Sequence, residues 1–354
     1  MQIKIVLFII LFFTQSTFYG FNDADIAARS VISFCDIHNT QGKKIITFPG
    51  SLCAYKDDGS VVYTSSEKLS MVNSQDSVLW EKKGFFHHQI KWSSNKKNIL
   101  AIDSDFYEMN KKKYRTDVLV IYNEDGTLNK KILATDMIKQ VEKGFHIQDG
   151  RWFYSAKFNE TAGEVSHINS FYEIPQHSNT TKIKQIPPGG YVVNGLYDGI
   201  FILDSDLKKV LYHFKFPFTV DNLIHDVQVT NRGTFLMFVN VFNPTPGKPS
   251  GYPYSAAVEY DPFTNKILWK FTAVPHEIFY SPATGGVQEL DENTVLISVF
   301  VKGFFIINKK DNSMLFPYNV YRNIENSFGI TSYQDIKLYN MESFFKKRKI
   351  KNTN

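Results

Sequence analysis

His88-Gln89-Ile90-Lys91-Trp92, His225-Asp226-Val227-Gln228-Val229 and Gln334-Asp335-Ile336-Lys337-Leu338 share one shape: a polar head, then apolar residues two and four positions on. Period two puts the head and those residues on one face of an extended strand. Ser51-Leu52-Cys53-Ala54-Tyr55 has the same form, and Gln288-Glu289-Leu290 gives it shortened. His167-Ile168-Asn169-Ser170-Phe171 fits with Asn169 at the second position. Working outward, a turn and a second strand follow several heads, as in Val61-Val62-Tyr63, Ile99-Leu100-Ala101, Phe235-Leu236-Met237-Phe238 and Val295-Leu296-Ile297. Third and fourth strands read as an apolar run, a polar turn and an aromatic-bearing run. Val258 to Trp269 is the clearest case, with Phe201 to Tyr212 and Val118 to Leu128 like it. Asp58-Gly59, Asp125-Gly126 and Asn231-Arg232-Gly233 supply turn signals between the runs.

Six heads at spacings of 37, 79, 58, 63 and 46 predict an all-β fold, a six-bladed β-propeller. Meanders of roughly 40 to 50 residues cannot bury their faces alone and must stack on one another. The wide gap between His88 and His167 reads as a loop insertion. It holds Lys111-Lys112-Lys113 and the one helix candidate, Asp136 to Glu142. Only 20 residues follow Gln334, too few for four strands. Residues 22–48 are therefore expected to complete the last blade, and a ring closed by that N-terminal segment has no free sheet edge.

Composition agrees. Of 354 residues, 43% are hydrophobic and 15% aromatic, enough for a large core and against disorder. The start reads as a secretory signal, residues 1–16 with cleavage as late as 20: Lys4, the apolar run Ile5 to Phe13, then Ser16. That run falls short of the ~20 residues a membrane span needs, and no later segment is longer. The expectation is a secreted or periplasmic protein with one propeller domain, 22–345, and no integral membrane segment after cleavage. Residues 346–354 form a basic, solvated tail. The net charge of +5 sits at the chain ends, in Lys4 and in Lys346, Lys347, Arg348, Lys349 and Lys351. Without them the body is slightly acidic, so no nucleic-acid partner is implied. Cys35 and Cys53 are the only cysteines. In an oxidising compartment they can form a disulfide; otherwise they are two buried thiols.

Three of the heads are histidine: His88, His167 and His225. Imidazole titrates near neutral pH, binds metals, and serves as nucleophile or general acid. Propeller strand heads face a central channel, so these side chains are expected to converge there. Three histidines bonded only to backbone or water is the plain structural alternative.

The ordered motifs His87-His88-Gln89-Ile90-Lys91-Trp92, Arg115-Thr116-Asp117, His167-Ile168-Asn169-Ser170, His225-Asp226-Val227-Gln228-Val229 with Arg232-Gly233, Glu259 to Phe271, and Gly285-Gly286-Val287-Gln288 make the chain similar to a known family. From about Gly50 to Lys309 it resembles the secreted or periplasmic aryl sulfotransferases, six-bladed propeller enzymes that use no nucleotide sulfate donor. The resemblance implies ping-pong transfer of a sulfuryl group from an aryl sulfate to a phenol through a sulfohistidine. By motif position His225 is the nucleophile, while His88, His167 and Asn169 bind the sulfuryl oxygens. His87, Arg115, Gln288 and Tyr252 complete the candidate substrate-binding set. Several N–H donors around a spread negative charge suit that chemistry. The chain has no glycine-rich phosphate loop, in keeping with a reaction that needs no cofactor.

One departure stands out. The family places an arginine in the strand after His-x-Asn, where this chain has Gly190 to Tyr197 without Arg or Lys. A guanidinium clamps such oxyanions in bidentate fashion. Arg115 is a substitute candidate; its alternative role is a structural pair with Asp117. Two rival expectations remain: a binding propeller without turnover, and a metal enzyme with His88, His167 and His225 as ligands. The oligomeric state leaves no mark in the sequence.

Overall fold

The computed structural model describes residues 29–33, 35–38, 44–65, 67–109, 111–141, 163–175, 186–195, 199–214, 222–241, 254–272, 279–281, 285–299, 303–318, 337–340 and 342–349. Their strands form four-stranded antiparallel sheets, six among the described residues. Five are meanders in chain order. The second sheet holds Cys53–Tyr55, Val61–Ser65, Lys68–Val72 and Val78–Lys83. The third holds Ile90–Trp92, Asn98–Met109, Lys112–Asn123 and Leu128–Leu133. The fourth holds Ile168–Glu173, Tyr191–Gly195, Gly199–Leu203 and Val210–Phe214. The fifth holds Asn222–Val229, Phe235–Val241, Tyr254–Asp261 and Lys266–Phe271. The sixth holds Gly285–Asp291, Thr294–Val299, Gly303–Asn308 and Met314–Tyr318. In the first sheet the late strand Lys337–Asn340 pairs with Arg29–Ser33, which continues into Asp36–His38 and Lys44–Thr47.

Period-two patterning explains the stacking. Phe235, Met237 and Val239 pack against the fourth sheet with Val192, Ile200 and Ile202. Leu236 and Phe238 point the other way, onto Val287, Val295 and Ile297 of the sixth. A strand buried on both faces alternates between two cores. The same holds at Leu100 and Ile102, which meet Phe171 and Phe201, and at Ile99 and Ala101, which meet Val62 and Met71. Five clusters of this kind join each described sheet to the next, from the first to the sixth. Each fully buried aliphatic or aromatic side chain contributes roughly 1.5–3 kcal/mol.

Turn chemistry acts as the sequence suggests at Asp125-Gly126. Gly126 has φ 82°, and an added Cβ would stand 2.8 Å from the Trp80 ring. Asp125 Oδ1 accepts the Thr127 N–H at 2.8 Å and closes the turn.

Three expectations change. Where the expected loop insertion was to hold Lys111-Lys112-Lys113, Asn98–Met109 and Lys112–Asn123 instead pair along their whole length, with Lys111 at the hairpin tip; residues 142–162 of that expected insertion lie outside the described residues. The helix runs Ala134–Val141, and its buried Met137 and Ile138 fill the core between the third and fourth sheets. The basic tail is not simply solvated. A helix at Glu342–Arg348 buries Phe344 and Phe345. Arg348, one turn after Phe344, has a side chain 2% exposed; it meets Asp76 Oδ1 at 2.6 Å and donates to Gly59 O and Asn73 O. A charge count overlooks that Phe344 and Arg348, four apart, share a helix face.

Cys35 and Cys53 are disulfide-bonded, which links the first sheet to the second. No helix among the described residues is long and apolar enough to cross a membrane. The expected signal and Gln334 lie outside the described residues.

Candidate functional site

Inner-strand ties set the register of the site. Gln89 Oε1 accepts the Phe171 N–H at 2.7 Å, Ser170 Oγ accepts Val227 N–H at 3.2 Å, and Asp226 Oδ2 accepts Val287 N–H at 3.0 Å. Each tie joins one sheet to the next. The residues just before the acceptors are therefore equivalent: His88, Asn169 and His225, with Gly285 in the sixth sheet. His167 stands two positions earlier. Gln288 is not a head; it sits inside its strand opposite Leu296, three residues past the equivalent position. At that position the Phe238 ring, 2.1 Å from where a Cβ would stand, leaves room only for Gly285. Tyr252 lies outside the described residues.

Two of the three equivalent positions are bulges. Ser170 and Ile168 pair with adjacent partners, Asn194 and Gly195, so Asn169 is an extra bulged residue. Ile224 and Asp226 pair with Val239 and Phe238, and His225 is the extra residue there. In the third sheet, His87 N–H donates to Ile102 O, and Ile102 N–H donates to Gln89 O. His88 is left between them, with φ 57°. A bulge re-aims a side chain and recurs near active sites.

One polar group gathers around His88. The His87 and His88 rings lie 4.7 Å apart, and so do His88 and His167. His167 Nδ1 meets Glu164 Oε2 at 2.9 Å. Arg115 NH1 meets the other Glu164 oxygen at 2.6 Å, and its NH2 lies 3.6 Å from Asp117 Oδ1. The same Asp117 oxygen is 3.0 Å from His87 Nε2. Three imidazoles, two carboxylates and one guanidinium thus form a closed circuit. The backbone holds it: Arg115 N–H donates to Gly163 O, and Val165 N–H to Arg115 O.

Asp117 is fully buried. Burial alone would raise its pKa, but the charges of His87, Arg115 and His167 outweigh it and hold the carboxyl below its usual range. Its second oxygen accepts the Ile168 N–H, and Ser166 Oγ accepts the Asp117 N–H at 2.9 Å. Arg115 is therefore engaged with two carboxylates, the structural role weighed for it.

On the far side, Asn169 Nδ2 and Asn194 Nδ2 both donate to Ile224 O, at 3.0 and 2.7 Å. Asn169 Nδ2 also lies 3.5 Å from His225 Nδ1. Its amide N–H groups are turned toward Ile224 and His225, so it buttresses His225. Burial first, and the His167 charge second, push the His225 pKa down to about 3. The ring is neutral at pH 7, and its buried Nε2 has no partner among the described residues.

The structure brings together His87, His88, His167, Asn169, His225 and Arg115. Sequence reasoning missed Glu164, Ser166 and Asn194, and met Asp117 only as a partner for Arg115. Glu164 sits three residues before His167, a spacing that could have flagged it. Among the described residues no three His, Cys, Asp or Glu side chains are arranged to hold a metal ion.

No family model matches the chain, and no curated protein matches it. Solved structures do. A Bacteroides caccae protein of unknown function is 12% identical, with 82% of this chain and 93% of that one covered and a TM-score of 0.49. The Neurospora crassa Pan2 WD40 domain is 10% identical, with 78% and 66% covered and a TM-score of 0.39. The WD40 β-propeller domain of Doa1 is 13% identical, with 74% and 79% covered and a TM-score of 0.37.

Proposed function

We propose that this chain is an exported, aryl sulfotransferase-like enzyme on a six-bladed propeller closed by its N-terminal segment. Six four-stranded sheets, and the pairing of Lys337–Asn340 with Arg29–Ser33, support that architecture. The Cys35–Cys53 bridge supports export to an oxidising compartment.

The observation that carries the reaction is His225: a neutral imidazole with an unengaged Nε2, set at a bulge beside a cluster of N–H donors. Nε2 attacks the sulfur of an aryl sulfate, the sulfur–oxygen bond to the aryl group breaks, and sulfohistidine forms. A phenol oxygen then attacks that sulfur and frees His225. Attack through Nε2 needs the proton on Nδ1. The 3.5 Å contact with Asn169 Nδ2 is at the outer limit of a hydrogen bond and too weak to hold the other tautomer. His88 and His167 supply donors for the sulfuryl oxygens, and Asn169 positions His225.

The test uses 4-nitrophenyl sulfate as donor and phenol as acceptor. Phenol-dependent nitrophenol release that vanishes in His225→Asn is expected; no release from the unaltered protein overturns the reading. One observation favours a binding propeller without turnover as the second reading. The Arg115 guanidinium is committed to Glu164 and Asp117, and the strand Tyr191–Gly195 carries Asn194 and no cation. Saturable binding of phenyl sulfate by an inert protein is its expected result.

A further inference from the structure

We propose that His87 and Asp117 form the acid–base dyad of this site, with His87 Nδ1 exchanging a proton with the phenolic oxygen and Asp117 as the positioning residue. The assignment rests on the sulfuryl-transfer reading and supplies the proton path that reading lacks.

The geometry points to His87 on three counts. First, its ring lies against His88 at 4.7 Å and through it reaches His167, so it borders the sulfuryl-binding group. Second, its Nε2 stands 3.0 Å from Asp117 Oδ1. The two atoms are close without yet forming an aligned hydrogen bond. Catalytic contacts of this kind often align only once substrate is bound. Third, Nδ1 is buried and has no partner among the described residues. An Nε2–H directed at a carboxylate leaves the Nδ1 lone pair as the basic site, as in other carboxylate-oriented imidazoles.

Asp117 suits the positioning part. Its Oδ2 is fixed by Ile168 N–H and its own N–H by Ser166 Oγ, so the carboxylate cannot swing away. The charged groups around His87 come from two strands. Asp117 lies on the third strand of its sheet, with Arg115 NH2 3.6 Å from the same oxygen. Asp103 lies on the second and feels the His87 charge. Asp103 Oδ1 already accepts two backbone N–H groups, from Phe85 at 2.7 Å and Ser104 at 2.8 Å. Asp117 is the carboxylate within 3.0 Å of the ring.

The protons balance over one cycle. In the first half-reaction His225 Nε2 bonds to sulfur and the aryl oxygen leaves with its electron pair. Protonated His87 gives that oxygen its Nδ1 proton, and phenol departs. In the second, the acceptor phenol loses its proton to His87 Nδ1 as its oxygen bonds to sulfur and the sulfur–nitrogen bond breaks. His87 ends protonated, as it began, and no other reagent is consumed.

Leaving groups test the dyad. Nitrophenolate departs without help, whereas phenolate needs a proton. Single-turnover release should be followed from 4-nitrophenyl sulfate and from phenyl sulfate, in the unaltered protein and in folded His87→Gln. The expected result is a loss at least about 30-fold greater for phenyl sulfate than for the nitrophenyl donor. Asp117→Asn should show the same split, more weakly; if it fails to fold, His87→Gln alone decides. Equal losses for both donors, or none, overturn the dyad and leave sulfuryl transfer standing. An unaltered protein inert toward both donors overturns sulfuryl transfer and the dyad with it.

Discussion

His225 carries a pH signature that requires no substrate. Its folded pKa is pushed down to about 3, against 6.5 for the free side chain, by burial and by the His167 charge. Between those values the unfolded chain binds a proton that the folded one refuses, so stability falls as pH drops below about 6.5. From pH 7 to pH 5 the loss attributable to His225 is about 2 kcal/mol. Urea unfolding at both pH values should show His225→Asn losing that much less than the unaltered protein. An equal pH dependence in both would mean that His225 titrates normally. The histidines themselves were legible as strand heads. Their carboxylate partner Asp117 was less so, because it reaches the site from the third strand of its sheet, 30 residues from His87. Contacts at that separation carry no local pattern.

At the scale of the element, the sheets follow from alternation, and the second-to-fourth strands fall where the apolar runs put them. What alternation hides is the bulge. One extra residue at Asn169 and at His225 shifts the register by one, and a frame counted in twos passes over it. The ties that reveal the true frame are side chain to backbone, from Gln89, Ser170 and Asp226. Gln89 is 5% exposed, and its carbonyl is the acceptor for the Phe171 N–H. Gln89→Leu keeps the volume close but strands that donor between the third and fourth sheets. A loss of about 1–3 kcal/mol in unfolding free energy is expected. Gln89→Glu retains an acceptor oxygen and should cost less at pH 7. The order of the two variants is the test: if they are equal, the tie contributes nothing.

For the whole molecule, the first sheet is the unusual one, because it joins residues 29–47 to residues 337–340. Its formation must close nearly the whole chain, an entropic cost that local contacts do not offset. Two devices pin it to the second sheet. The Cys35–Cys53 bridge spans a separation of 18 residues, worth about 3 kcal/mol in a chain-entropy account. The helix Glu342–Arg348 packs Phe344 on Phe48 and Tyr55, and sets Arg348 over the Phe48 ring. Both devices hold the same seam, so removing the bridge should loosen that seam rather than the whole. In Cys35→Ser/Cys53→Ser, amide hydrogen exchange should accelerate first across residues 29–48 and 337–349. Strands from Asn98 to Asn308, with their own four-sheet core, should keep their protection. Uniform acceleration would mean instead that the first sheet unfolds together with the rest, as one cooperative unit. The bridged and unbridged chains would then differ in stability without differing in which part opens first.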